Sequence, residues 1–167
     1  MADPKKPGDE LIATHHHALR DYQILETMEA GLVLVGTEIK SIRNRRGVSL
    51  EDSFARIEDG EAFLYNLHVN PYEQGGRFNV EPRRTRKLLL HKKQIKRLTG
   101  LLTQRGTTLV PIRLYLTHGL AKVALAVGKG KREYEKRDTI REREIQRELS
   151  RTFKEFRRRG DRKSPES

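Results

Sequence analysis

Cysteine is absent from the sequence, and aromatic residues make up only 6% of its 167 positions. The lack of cysteine excludes a disulfide framework, a thiolate nucleophile and a cysteine-based zinc site. No apolar run approaches the roughly 18 to 20 residues that a membrane-spanning helix needs, and the N-terminus lacks the apolar core of a signal peptide. We therefore expect a cytoplasmic protein whose function rests on other side chains.

Positive charge dominates the composition, with 35 lysine and arginine residues against 23 acidic residues and a net charge of +12. Phosphate backbones, anionic membrane surfaces and acidic proteins could each supply the complementary charge, so charge alone indicates only a polyanionic partner. The length allows one compact core with an extension. We predict a flexible N-terminal arm at 1–17, a barrel at 18–128 and a basic tail at 129–167.

From Tyr22 onward the pattern favours β-strands with short helices between them. The apolar run Leu32–Val35 is short enough for a buried strand, and Thr37 is placed to cap a basic helix that extends to Arg46. The Asp59–Gly60 pair suits the positive φ angles of a two-residue hairpin turn. The second strand of that hairpin is expected to share one apolar face among Phe63, Tyr65, Leu67 and Val69.

A later helix and strand pair complete the expected fold. The helix is predicted from Lys92 onward, with His91 before it and Gly106 after it, and segments 110–116 and 121–127 alternate as paired strands. Five or six short strands with a helix after the third or fourth fit a mainly β, OB-type small barrel. A ferredoxin-like sandwich would need a different helix placement.

Beyond Gly128, apolar residues become sparse and Lys, Arg and Glu fill almost every position. Ile145, Leu149 and Phe153 lie four apart, and arginines of the same spacing would occupy another face of one helix. Like charges at this spacing destabilise an isolated helix, and the apolar stripe is narrow. We therefore predict a tail that folds only when it binds RNA; a solvated tail that only aids solubility is the alternative.

The acids and histidines form no recognisable catalytic pattern. The three adjacent histidines at 15–17 would point their rings in different directions, so we expect no metal site and no cofactor. The Gly128–Lys131 stretch lacks the spacing of a phosphate loop and suits a flexible basic hinge. Glu29 is favoured as an acceptor for base amino groups or as an orienter of arginines. A metal-dependent RNA hydrolase using Glu29 or Glu38 is the enzyme alternative.

The segment from Pro82 to His91 carries the strongest local signal, because four basic residues are followed by three leucines. Phosphate contact by Arg84 and Arg86 is the functional interpretation. A solvated charged loop that leads into a core segment is the structural alternative.

A set of short segments follows one known family pattern in order: Glu29–Leu32, Gly36–Arg43, Asp59–Ala62, Arg84–Leu90, Ala121–Val123 and Gly130–Arg137. Together they resemble the small protein B family, also called SsrA-binding proteins, over about Tyr22 to Phe156. The resemblance implies an OB-type barrel that catalyses no reaction. It implies binding to the tRNA-like domain of tmRNA and entry, with the alanylated RNA, into the empty A site of a stalled ribosome.

The resemblance also implies roles for individual residues. At the tmRNA surface it places Glu29, Leu89 and Lys122, with Lys40, Arg43, Arg84 and Arg86 as supporting contacts. In the decoding centre of the small ribosomal subunit it places Gly130, Lys131, Tyr134, Lys136 and Arg137. It implies that the tail occupies the decoding centre and the empty mRNA channel, and it matches Ile145 and Phe153 to apolar tail positions implicated in accommodation. The alternative for these two residues is residual packing against the barrel.

Two departures from the family pattern affect these roles. Many members carry His at the position of Tyr134, so we expect stacking on a ribosomal RNA base there rather than proton transfer. The histidines at 15–17 replace what is often Asn followed by basic residues, which leaves an N-terminal RNA contact open.

The implied partners are tmRNA and the ribosome, bound by a monomer in a 1:1 complex. Elongation factor Tu and alanyl-tRNA synthetase would be reached indirectly through tmRNA. A general OB-fold protein or ribosome-associated factor that binds structured RNA is the alternative function.

Overall fold

The structure is a computed structural model that describes residues 8–45 and 47–160, with the backbone alone for 134 and 156–160. The strands are β1 (Asp9–Thr14), β2 (Tyr22–Leu32), β3 (Val48–Ser49), β4 (Phe54–Glu58), β5 (Glu61–Tyr65), β6 (His68–Val69), β7 (Arg86–Leu89), β8 (Thr107–Thr117) and β9 (Leu120–Gly130). The helices are α1 (Ala18–Asp21), α2 (Gly36–Arg43), α3 (Lys92–Leu102) and α4 (Glu133–Gly160), and a 3-10 helix spans Gly76–Phe78. The chain divides into two units, one through Gly130 and one from Lys131 onward.

The main sheet of the first unit closes into a barrel. It has seven strands in the order β1-β8-β4-β5-β7-β2-β9, and β9 pairs again with β8. All these pairings are antiparallel, and β1 adds to an edge of β8 outside the ring. The mainly β barrel with short helices that the sequence predicted is confirmed.

The barrel interior is filled by the inward positions of the strands. Along β9, the predicted alternation places Ala121, Val123, Leu125 and Val127 inside. Leu98 of α3 is completely buried and belongs to the same core. Each buried leucine contributes about 2 kcal/mol through the hydrophobic effect, so the core, rather than the charged exterior, holds the barrel together.

Two local predictions agree with the structure because each depends on a few neighbouring residues. Asp59 and Gly60 form the β4–β5 turn with φ angles of 50° and 75°. Helix α3 begins at Lys92 after His91, whose backbone N–H donates to the Gln94 side chain.

The predicted N-terminal arm is wrong for part of its length. Residues Asp9–Thr14 form β1 and pair with β8, because the unpaired edge of β8 offers backbone partners that composition does not reveal. The Thr117 hydroxyl also donates to the Asp9 carboxylate at 2.7 Å. His15 Nδ1 lies 3.1 Å from the Pro111 carbonyl. The first seven residues of that arm lie outside the described residues.

The predicted shared face of the second hairpin strand is also wrong. In β5, Ala62 and Leu64 point into the core, whereas Phe63 and Tyr65 point outward and are half-buried. The strand ends at Tyr65, and Asn66 adopts a positive φ of 59°, which breaks the alternation. Leu67 and Val69 therefore lie inside although Phe63 and Tyr65 do not.

The apolar run Leu32–Val35 is not a buried strand throughout. Strand β2 ends at Leu32, and Val33 and Val35 are 42% and 39% exposed. Helix α2 starts at Gly36, where the Glu38 carboxylate accepts the Val35 N–H at 3.0 Å. Thr37 does not cap the helix; its hydroxyl donates to the Phe78 carbonyl. Arg46, the predicted end of this helix, lies outside the described residues.

The second unit is built on α4, a helix of 28 residues. Its apolar stripe is exposed, with Ile145, Leu149 and Phe153 at 56%, 48% and 71%. The helix agrees with the predicted helical spacing, while folding only on RNA binding stays a prediction. None of the described helices combines the length and apolar character needed to cross a membrane.

Candidate nucleic-acid interface

An open groove of about 620 Å³ lies on the outer face of the barrel. Three predicted site residues, Glu29, Leu89 and Lys122, line it together. The remaining lining residues come from β2, from the link between β7 and α3, and from the start of α3: Met28, Gly31, Leu90, His91 and Gln94.

Strand register explains why positions far apart in sequence meet in this groove. Gly31 of β2 pairs with Lys122 of β9 on one side and with Leu89 of β7 on the other. A Cβ added at Gly31 would lie 3.3 Å from the Leu89 Cβ, so the missing side chain keeps the floor of the groove open. Glu29, two residues earlier on β2, shares the same outward face.

The Glu29 carboxylate accepts hydrogen bonds from Lys122 and Tyr115. Lys122 Nζ donates to Oε1 at 2.6 Å, and the Tyr115 hydroxyl donates to Oε2. Tyr115 and Lys122 are themselves directly paired across β8 and β9. The side chains of Glu29 and Lys122 remain 39% and 32% exposed, so a ligand can still reach both. The pair presents an oriented acceptor beside a cation.

Tyr115 was missed by the sequence interpretation, which grouped the apolar positions 110, 112, 114 and 116 of β8. That alternation is wrong for its first half, because a register shift between Pro111 and Arg113 leaves only Leu114 and Leu116 of the four in the barrel core. Burial and the hydrogen bond to Glu29 raise the pKa of the Tyr115 phenol above its ordinary value. The phenol therefore stays protonated and keeps its role as a donor. The only sequence signal for Tyr115 is its spacing: it lies two residues from Arg113 on β8, with the buried Leu114 between them, so both side chains point outward.

Leu89 supplies the apolar side of the groove and is 55% exposed. It alternates with Leu88, which is buried in the core, so β7 fixes its outward direction. A leucine side chain beside a cation can contact the face of a base or a ribose while the cation meets phosphate.

Arg86 does not belong to this surface, which corrects the predicted phosphate contact. Its side chain is completely buried, and its guanidinium lies 2.6 Å from Glu38. Three backbone carbonyls accept its remaining N–H groups: Leu67, Pro82 and Arg84. The buried Glu38 carboxylate thus holds Arg86 inside the protein, although the charged character of the segment had favoured an exposed side chain.

Arg84 is also engaged by Glu38, with Nη2 at 2.6 Å and Nε at 3.0 Å from the two carboxylate oxygens. Its side chain is 27% exposed, so it lies at the edge of the buried cluster. Burial favours a higher pKa for Glu38, but the hydrogen bonds from Arg84 and Val35 and the Arg86 charge outweigh it and lower that pKa. The cluster fastens α2 to the segment that leads into β7.

Lys40 and Arg43, the predicted supporting contacts, are exposed on α2. Lys40 Nζ lies 5.6 Å from the centre of the Tyr72 ring. The Arg43 guanidinium reaches the β8–β9 turn, where a Cβ built at Gly119 would be 3.5 Å away. The structure thus presents both cations to solvent, and their contact with RNA stays a prediction.

The predicted decoding-centre residues lie at and after the junction of the two units. Gly130 ends β9, and Lys131 Nζ donates to the Thr139 hydroxyl at 3.1 Å. Lys136 and Arg137 lie in the first turns of α4, half-buried and exposed respectively. The Tyr134 side chain lies outside the described residues, so its stacking role stays a prediction.

A closed antiparallel barrel with an oriented acid–lysine pair and an apolar wall defines a small nucleic-acid-binding barrel protein. The family model described as "SmpB protein" matches residues 12–155, most of the chain. The chain belongs to the SmpB family.

Curated relatives and a solved structure agree with this assignment. An SsrA-binding protein of Enterococcus faecalis is 56% identical over 93% of this chain and 99% of its own length. One of Geobacillus kaustophilus is 57% identical over 91% of this chain and 97% of its own length. A solved chain described as "tmRNA-SmpB: a journey to the center of the bacterial ribosome" is 48% identical, with a TM-score of 0.62 over 77% of this chain and 93% of that chain.

Proposed function

We propose that this protein binds the tRNA-like domain of tmRNA through the groove of Glu29, Leu89 and Lys122, and acts in trans-translation. The observation that carries the proposal is the convergence of these three residues around Gly31. The names of the SsrA-binding relatives identify the RNA. Since the relatives are matched over nearly their whole length, the proposal concerns the whole chain.

The groove suits structured RNA for physical reasons. Lys122 offers a cation to a phosphate, and the Glu29 carboxylate can accept from an exocyclic amino group of a base. Leu89 provides an apolar contact for a base or sugar. Because Tyr115 and Lys122 already orient the carboxylate, little side-chain freedom is lost on binding.

The tail is proposed to act in the ribosome, in the decoding centre through 130–137 and in the empty mRNA channel through α4. A helix of 28 residues has a length of roughly 40 Å, which suits an extended channel. Exposure of Ile145 and Phe153 leaves both side chains available for such a contact. In this role a monomer would accompany alanylated tmRNA into the A site, meeting elongation factor Tu only through the RNA.

The protein is proposed to act by binding, in the cytoplasm, without catalysing a reaction. SmpB is a family of RNA-binding proteins rather than a known enzyme family. Glu29, the strongest candidate acid, is held by Tyr115 and Lys122. RNA incubated with the protein should stay intact with or without magnesium. Cleavage beyond one turnover that Glu29→Ala removes would contradict this part of the proposal.

A gel-shift titration at physiological salt tests the specific function. The protein is titrated against the tRNA-like domain of tmRNA and, as a control, against ordinary alanine tRNA. Strong preference for the tmRNA fragment is expected. Equal weak binding of both RNAs would instead favour a general structured-RNA-binding barrel.

A further inference from the structure

The loop between β6 and β7 displays an aromatic side chain that the function above does not use. Phe78 ends the 3-10 helix Gly76–Phe78 and is 70% exposed. Among the described residues of the barrel unit, no other large apolar side chain is as exposed. Exposure of a phenyl ring to this extent leaves its apolar face in water, where a planar partner would cover it.

Internal hydrogen bonds hold this loop in place. The Asn79 side chain accepts the Tyr72 N–H at 2.9 Å and donates to the Tyr72 carbonyl at 2.8 Å. Gly75 N–H donates to the same carbonyl at 2.8 Å, and a Cβ at Gly75 would lie 2.7 Å from the Asn79 oxygen. These hydrogen bonds and the close packing at Gly75 therefore fix the outward position of Phe78.

The loop is fastened to α2 by side-chain hydrogen bonds. The Thr37 hydroxyl donates to the Phe78 carbonyl at 3.3 Å, and the Ser41 hydroxyl donates to the Asn70 carbonyl at 2.6 Å. The Arg77 guanidinium carbon lies 5.2 Å from the centre of the Phe78 ring. Lys40, exposed on α2, lies 5.6 Å from the Tyr72 ring of the same loop, so Arg77 and Lys40 both place positive charge at this loop.

Exposed apolar residues connect the loop with the groove. Leu89 pairs with Gly31 at the groove, and two residues further along, Val33 N–H donates to the Lys87 carbonyl at 3.0 Å. Val33 and then Val35 are partly exposed before α2 begins. An RNA seated in the groove would follow this strip toward Phe78.

We propose that Phe78 and Arg77 form a stacking platform for an unpaired base of the tmRNA tRNA-like domain, next to the groove. This inference rests on the proposed function. A base has an apolar π-face that fits the phenyl ring, and the flanking cations favour its phosphates. Unpaired nucleotides fit better than duplex RNA, because duplex bases already stack on one another.

The test uses the absence of tryptophan from the sequence. In Phe78→Trp, the new indole is the only tryptophan, can be excited apart from the five tyrosines, and keeps an aromatic surface at the platform. Titration of the full-length variant with the tRNA-like domain should quench its fluorescence at near-wild-type affinity. The matched control is Leu25→Trp, at an exposed β2 position that does not line the groove, which should show little change.

The variant Phe78→Ala measures how much the ring contributes to the affinity for the tRNA-like domain. Loss of one stacked base corresponds to roughly 5- to 100-fold weaker binding. The unfolding midpoint should stay close to that of the wild type because the ring is largely exposed.

Contrary outcomes separate the two proposals. Tight binding of Phe78→Trp without quenching, or equal quenching of Leu25→Trp, would overturn the platform and leave the groove function intact. Quenching by small ribosomal subunits alone, and not by the tmRNA fragment, would overturn the assignment to tmRNA. Failure of the wild type to prefer the fragment over alanine tRNA would overturn both.

Discussion

At the scale of single residues, the local charge pattern predicted that Arg86 contacts phosphate, but the structure buries this side chain. Arg84 and Arg86 stand in the same basic run, and sequence alone cannot tell which of them turns inward. The structure shows that Glu38, from a helix almost fifty positions earlier, takes both. Such a pairing depends on tertiary structure, so the sequence identified the segment but assigned Arg86 the wrong role.

The Glu38 cluster makes stability depend on pH. The folded-state pKa of Glu38 is below its ordinary value of 4.5, so its contribution is full above that value and is lost as pH falls through the folded pKa. At neutral pH, Glu38→Gln should lower the free energy of unfolding by about 3–5 kcal/mol, since Arg86 keeps a buried charge without its partner. In acid the difference from the wild type should shrink.

Urea unfolding at several pH values checks this expectation. Glu61→Gln is the matched control, because Glu61 pairs with Lys87 on the surface and both side chains are well exposed. That change should cost less than about 1 kcal/mol. A Glu38→Gln protein as stable as the control at neutral pH would contradict the role given to the cluster.

Tyr115 gives a second prediction at this scale. In Tyr115→Phe the ring stays in place but Glu29 loses the hydrogen bond from the phenol, so the carboxylate is less well oriented. Removal of a hydrogen bond to a charged group should weaken binding of the tmRNA fragment by roughly 5- to 20-fold. Gel-shift titration measures the affinity, and thermal unfolding verifies the fold. Unchanged affinity would remove Tyr115 from the site.

At the scale of elements, the strands, helices and turns that were predicted correctly are those that depend on neighbouring residues. The Asp59–Gly60 turn and the start of α3 depend on a few neighbouring residues and were predicted correctly. Strand β1 depends on a partner edge about a hundred positions away, and the β5 face depends on one positive φ at Asn66. Neither the pairing of β1 nor the orientation of β5 produces a clear signal in composition or hydrophobic periodicity.

The tail gives the prediction at this scale. A chain ending after Gly130 should bind the tmRNA fragment with nearly the affinity of the wild type, because the groove lies wholly within the barrel unit. Peptidyl transfer to alanyl-tmRNA on stalled ribosomes should be abolished. Gel shifts and a reconstituted transfer assay measure the two activities. Loss of both in the shortened chain would contradict a division of labour between barrel and tail.

At the scale of the whole molecule, the net charge of +12 is distributed over surfaces with different roles. Lys40 and Arg43 are exposed on α2, Lys40 beside the Tyr72 ring and Arg43 toward the β8–β9 turn, whereas Arg86 is buried and cannot contribute to RNA binding. The amino-acid composition predicted a polyanionic partner, and the family resemblance predicted that this partner is tmRNA. Only the barrel register shows which residues share a surface.

Salt dependence measures this distribution directly. Each lysine or arginine that contacts phosphate adds about one to the slope of log affinity against log salt. The pair Lys40→Gln with Arg43→Gln should therefore reduce the slope by about two. The matched pair Lys96→Gln with Arg105→Gln removes the same charge from other exposed positions and should change it little. Equal slopes for the two pairs would exclude a specific contact by α2.

The most direct test of the groove compares two lysines on one strand. Lys122 lies in the groove, whereas Lys129 is exposed near the end of β9, so substitution of either by Met removes the same charge. Affinity for the tRNA-like domain of tmRNA is measured by gel shift at physiological salt. Lys122→Met should weaken binding at least about tenfold, because a phosphate contact is lost and Glu29 is left beside the RNA without its cation. Lys129→Met should stay within about twofold of the wild type. Equal effects of the two substitutions would mean that RNA senses only net charge, and would contradict the groove as the binding site.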